Sequence, residues 1–135
     1  MTSYKKITDR LFWVVLVAMG VYLLYQKGLI GTSFESVTPK VAYKMLQNDR
    51  NITLLDVRTV EEFRKDGKIA NAKLIPLSQL SSNLKMLDRS KKVLVYCRSG
   101  NRSVSASRIL EENGFTVFNM SGGIMKWRSE KLPLQ

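Results

Sequence analysis

Val93-Leu94-Val95-Tyr96-Cys97-Arg98-Ser99-Gly100-Asn101-Arg102-Ser103 is the stretch whose reading decides the fold. It opens as a short, β-branched apolar run, the pattern of a buried strand. It closes in a helical pattern, with Asn101 or Ser103 as cap, Val104, Ala106, Ile109 and Leu110 apolar, and Gly114 as the stop. Cys97 is therefore expected where a strand ends and a helix is about to begin. The backbone N–H groups of the six residues from Arg98 to Ser103 can turn toward one point. That makes an anion nest beside the positive end of the helix. A sulfur atom at its centre is favoured as the thiolate.

The chain contains no histidine, so Cys97 cannot be activated by a Cys–His pair. Backbone dipoles, the helix terminus and the charges of Arg98 and Arg102 must serve instead. The competing reading is an inert thiol buried at a strand end. The loop Arg98-Ser99-Gly100-Asn101-Arg102-Ser103 is too polar and too cationic for core packing, and favours the reactive thiolate.

Two further blocks accompany this loop. Leu54-Leu55-Asp56-Val57-Arg58 is followed by Glu61-Glu62-Phe63, and then by Gly67-Lys68-Ile69-Ala70-Asn71-Ala72-Lys73-Leu74-Ile75-Pro76-Leu77. Near the end, Gly114-Phe115 leads to Gly122-Gly123-Ile124-Met125-Lys126-Trp127. With a cysteine, four residues, an arginine and a serine at Cys97 to Ser103, these three blocks resemble the rhodanese family of sulfurtransferases over residues 36 to 132. Three motifs in order are far more specific than a lone Cys-x4-Arg. The chain departs from the family where Gly-His-Ile and Gly-Ala are usual and Gly67-Lys68-Ile69 and Asn71-Ala72 stand instead. Asn71 tolerates a left-handed backbone better than most non-glycine residues.

Strands and helices alternate along residues 32–135, which predicts an α/β domain: an open parallel sheet flanked by helices, as in rhodanese domains. Thr38 caps a helix with Pro39 at its first position. Strands are expected at Ile52 to Val57, Ala72 to Leu77, Val93 to Tyr96 and Thr116 to Met120, and a helix at Ser78 to Leu87. Gly31 to Ser36 is expected to be a plain polar connection. Thr59 caps the next helix, with Glu61 and Glu62 in its first turn. Arg58 and Glu62, four apart, are expected to pair. Asp56 is expected to accept nearby N–H groups rather than to catalyse, and Trp127 to be core. Sites in such sheets lie at the carboxyl ends of the strands, where Cys97 falls.

Residues 1–31 form a separate segment. Lys5, Lys6 and Arg10 precede sixteen uncharged residues, Leu11 to Gln26. A span needs ~20 apolar residues, and a snorkelling Lys27 extends this one to about Ile30. Trp13, Tyr22 and Tyr25 suit the interfaces. The expectation is a single-pass membrane anchor joined to the domain. A signal peptide cut after Ala18-Met19-Gly20 fits less well, because the apolar run continues past that point. A buried core helix fits least. Three cations flank each end of the span, so number does not orient it. The density of the N-terminal cluster favours a domain outside the cytoplasm. A lone thiolate favours a reducing compartment, and the expectation adopted is a cytoplasmic domain on the anionic inner leaflet.

Residues 32–135 carry 18 Lys and Arg against 10 Asp and Glu. The cations are spread without aromatic interleaving, which argues against a nucleic-acid partner. They suit a lipid surface and a small anionic substrate. One cysteine and no histidine leave no disulfide and no metal site to expect, and no cofactor is expected. The resemblance implies that Cys97 takes a sulfane sulfur from a donor such as thiosulfate and passes it to an external thiol or cyanide. Arg98, Ser99, Gly100, Asn101, Arg102 and Ser103 would bind the substrate. Two alternatives are a membrane-tethered binding module, which the retained Cys97 argues against, and a phosphatase of the same fold. Such phosphatases have five residues between cysteine and arginine, whereas this chain has four.

Overall fold

The computed structural model describes residues 2–26 and 33–135. Helix α1, Thr2–Gln26, is 25 residues long. Its Tyr4–Gln26 portion is long and apolar enough to cross a membrane, by length and composition. At 1.5 Å per residue those 23 residues reach about 34 Å, enough for a hydrocarbon core. The helix begins earlier than the uncharged run at Leu11. The expected extension through Lys27 to about Ile30 lies outside the described residues.

The second compact unit, Ser33–Gln135, is built on one sheet. Its strands are β1 (Glu35–Val37), β2 (Ile52–Asp56), β3 (Lys73–Leu74), β4 (Lys92–Tyr96) and β5 (Val117–Met120). They lie in the order β1-β5-β4-β2-β3, every pair parallel. The helices are α2 (Pro39–Asn48), α3 (Val60–Lys65), α4 (Leu77–Leu80), α5 (Asn101–Glu112) and α6 (Gly123–Ser129). Thr38 Oγ1 accepts the Val41 N–H at 3.3 Å, which starts α2. Thr59 closes a capping box with Glu62: its hydroxyl accepts the Glu62 N–H, and its own N–H donates to Glu62 Oε2 at 2.8 Å.

The period of two along β4 sorts the core into two layers. Val93, Val95 and Cys97 face one way, against Val104, Ala106 and Leu110 of α5. Leu94 and Tyr96 face the other, against Met120, Ile124 and Trp127. Trp127 is core as expected, its Nε1–H donating to the Pro133 carbonyl at 2.9 Å. Cys97 thus continues one of the strand's two buried rows a step past its end, on the side of α5.

Four local expectations are corrected. Residues 35–37 form strand β1 rather than a connection, because Phe34 is buried and Glu35 to Val37 pair with Phe118 to Met120. The Ser78–Leu87 helix is broken into α4 and a 3-10 turn, Leu84–Met86. Ser81, Ser82 and Asn83 intervene, and the Asn83 side chain bonds the Gln79 carbonyl at 2.7 Å in competition with the helix. The Ala72–Leu77 strand shortens to Lys73–Leu74, since Pro76 has no N–H to give the ladder. Neither Asn101 nor Ser103 caps α5, as Gly100 holds that position with φ +105°. Asn71 does adopt the left-handed backbone, at φ +65°.

Candidate active site

The parallel sheet brings Asp56, Leu74 and Tyr96 to one level at its carboxyl edge. Cys97 is the next residue after Tyr96 and is buried, 1% exposed. The Gly100 N–H donates to its Sγ at 3.1 Å, and the Ser103 N–H at 3.4 Å. The Ser103 hydroxyl lies 3.6 Å from the sulfur and donates to the Gly100 carbonyl at 3.1 Å. Two of the six expected nest amides therefore reach the sulfur. The Asn101 and Arg102 amides belong to the first turn of α5, where no intrahelical acceptor exists.

The loop owes its shape to three glycines. Gly100 needs its positive φ to bring its N–H back onto Sγ, and a Cβ there would stand 3.1 Å from the Gly122 nitrogen. Gly122 and Gly123 turn the chain from β5 into α6. A side chain on Gly123 would collide with the Arg98 carbonyl. That closeness lets α6 hold the loop from behind. Its first amides are the donors: Ile124 N–H to the Cys97 carbonyl at 2.9 Å, and Met125 N–H to the Arg98 carbonyl at 3.1 Å.

The arginines behave differently from each other. Arg98 is exposed, and among the described residues no carboxylate lies within ion-pair distance of it. Arg102 is engaged on Glu62: Nη1 donates to Oε2 at 2.8 Å and Nη2 to Oε1 at 2.7 Å. This fork holds the Glu62 carboxyl down at about 2, with the capping N–H of Thr59 adding to the effect. The same hydrogen bonds keep Arg102 above its ordinary value.

The expected Arg58–Glu62 pair does not form. Arg58 turns back instead to Asp56, its Nη2 donating to Oδ2 at 2.7 Å and its Nε to the same carboxylate. Both residues are buried. The Asp56 carboxylate also accepts the Arg58 backbone N–H at 2.9 Å, so it is an acceptor as expected. Burial pulls Arg58 down, but the hydrogen bonds and charge of Asp56 outweigh it and leave Arg58 above its ordinary value. Burial, followed by the Asp56 charge, pushes the neighbouring Tyr96 hydroxyl up. Glu62 is the site residue that sequence reasoning missed. Its place in the first turn of a helix was visible, but its partner is 40 residues away.

Residues 38–130 match the family model of the rhodanese-like domain. A protein of Allochromatium vinosum named "Sulfurtransferase" is 32% identical over 90 residues, covering 66% of this chain and 83% of that protein. The "Thiosulfate sulfurtransferase GlpE" of Coxiella burnetii is 30% identical over 97 residues, 71% of this chain and 89% of that one. Among solved structures, the polysulfide-sulfur transferase homodimer of Wolinella succinogenes is similar with a TM-score of 0.71 and 35% identity. That likeness covers 86% of this chain and 88% of the other.

Proposed function

The chain belongs to the rhodanese-like domain family, and we propose that it moves a sulfane sulfur through a persulfide on Cys97. The observation that carries this reading is the pair of backbone N–H groups, from Gly100 and Ser103, donating to Sγ. Donors aimed at a sulfur favour its anion, and the reaction then needs no general base. In the first step the Cys97 thiolate attacks the outer sulfur of thiosulfate. A Cys97 S–S bond forms, the sulfur–sulfur bond of the donor breaks, and its electron pair leaves with sulfite. In the second step an external thiolate or cyanide attacks the outer sulfur of the persulfide and releases the Cys97 thiolate. The acceptor is external because the chain has one cysteine.

The amides of Asn101 and Arg102, in the first turn of α5, are donors available to hold the outer sulfur. Arg98 is the free loop cation for an anionic donor. The two relatives named for thiosulfate and for polysulfide point to donors ending in a sulfane sulfur. The depth of Cys97 favours such a slender group over a phosphate ester.

In the same reading residues 1–31 anchor the chain in a bilayer, residues 32–135 handle sulfur, and the domain lies on the cytoplasmic side. Labelling of intact cells with a membrane-impermeant thiol reagent after reduction tests the side, since Cys97 is the only thiol. Labelling without permeabilisation would reverse the assignment. For the chemistry, the full chain in detergent gains the mass of one sulfur on Cys97 when given thiosulfate, and loses it to a reductant. Cys97→Ser gains nothing. Sulfur transfer that persists in that variant would overturn the reading.

A further inference from the structure

Glu62 and Arg102 join two elements distant in sequence, α3 and the start of α5, at the mouth of the candidate site. The contact is bidentate, with distances of 2.8 and 2.7 Å. Paired charge-assisted bonds of this kind fix geometry as well as energy. Glu62 cannot easily swing aside, because its Oε2 also accepts the Thr59 N–H at 2.8 Å in the capping box. With the carboxyl held at about 2, it is ionised at neutral pH.

This pairing changes the charge that a donor meets. A Cys97 thiolate beside two free arginines would present a net positive site. With Glu62 on Arg102, one guanidinium is neutralised and its two-donor fork faces the carboxylate. A dianion that sought that fork would have to compete with a carboxylate already in position. We propose that Glu62 sets the donor selectivity of the site: by withholding Arg102 it weakens dianionic donors such as thiosulfate relative to singly charged persulfides. Glu62 is here a positioning residue that acts through Arg102, and the inference rests on sulfur loading at Cys97 as described above.

The test follows loading of Cys97 by mass spectrometry in single turnovers, with thiosulfate and with the freshly made persulfide of 2-mercaptoethanol as donors. Glu62→Gln keeps an oxygen for the Thr59 N–H but releases the guanidinium. It is expected to lower the half-saturating thiosulfate concentration about two- to fivefold relative to the persulfide, with the maximal loading rate within about twofold of wild type. Glu61→Gln removes a neighbouring carboxylate that pairs with Lys65 instead, and is expected to change neither donor's ratio. Should Glu62→Gln not fold, Glu62→Asp keeps the charge, shortens the reach and gives a smaller shift in the same direction.

Equal slowing with both donors would make the pair purely structural and overturn the proposal. A gain reproduced by Glu61→Gln would reduce it to general charge and overturn it as well. Wild-type protein that takes sulfur from neither donor would instead overturn the underlying reading of Cys97, a result distinct from either.

Discussion

Gly123 packs against the carbonyl of Arg98 so closely that any Cβ at position 123 would overlap it. The neighbouring amides of Ile124 and Met125 then bond the Cys97 and Arg98 carbonyls. Gly123→Ala combines a left-handed backbone, φ +60°, with that collision. The expected loss is roughly 3 kcal/mol, from the left-handed penalty and overpacking together. Gly114→Ala is the control: it shares a positive φ, at +85°, but has open space around it. It is expected to lose about 1 kcal/mol and to keep normal sulfur loading. Urea midpoints and persulfide mass measure both. Equal losses at the two positions would show that the clasp behind the loop is slack.

A second expectation concerns the buried pair at the end of β2. Asp56→Ala leaves the Arg58 guanidinium uncompensated at 1% exposure. A stranded buried charge of this kind costs about 3–5 kcal/mol. Changing Arg58→Met in the same chain is expected to recover most of it, because the unpaired charge leaves as well. Denaturant unfolding decides between this and a catalytic Asp56. A catalytic Asp56 would show normal stability and lost loading.

Stability also carries a pH signature from Glu62. Its folded-state value, about 2, lies below the ordinary 4.5. The ion pair therefore adds stability above pH 4.5 and loses it as the pH falls toward 2. For a partly exposed pair the amount is about 1 kcal/mol or less. The stability gap between wild type and Glu62→Gln should close over that acidic range. A gap that stays constant as the pH falls from 4.5 to about 2 would show that ionisation of Glu62 plays no part.

Arg98 offers the clearest test of donor binding. Its carbonyl is fixed by Met125, so Arg98→Ala removes the side chain without freeing the loop. A single exposed charge contributes about 0.2–1 kcal/mol, so half-saturation by thiosulfate should rise about 1.4- to fivefold. The maximal loading rate should change less. An unchanged half-saturation would remove Arg98 from the donor site.

What the sequence made legible followed from local physics. The continuous apolar run Val93 to Tyr96 announced a buried strand with Cys97 at its end, because a strand covered on both faces has no polar row. Thr59 and Thr38 announced their helices because a cap acts within three residues. The partners of charged residues were another matter. Arg58 had Asp56 two residues behind it and Glu62 four ahead, and only the turn after β2 chooses between them. Strand β1 was hidden because Glu35 and Ser36 are polar, and pairing with β5 alone makes them a strand. The role of Gly123 was hidden because its neighbour in space is 25 residues earlier in the chain.

The clasp of α6 on the loop also gives the chain an order of assembly. During synthesis Cys97 is made well before Gly123, and the strands that flank β4 are complete once Met120 has been added. The carbonyls of Cys97 and Arg98 still lack their donors at that point. A nascent chain halted there holds a thiol in an unfinished cradle, open to oxidants and to stray electrophiles. Helix α6 closes that interval, so the loop around Cys97 is complete only once Ile124 and Met125 have been added and have donated to it.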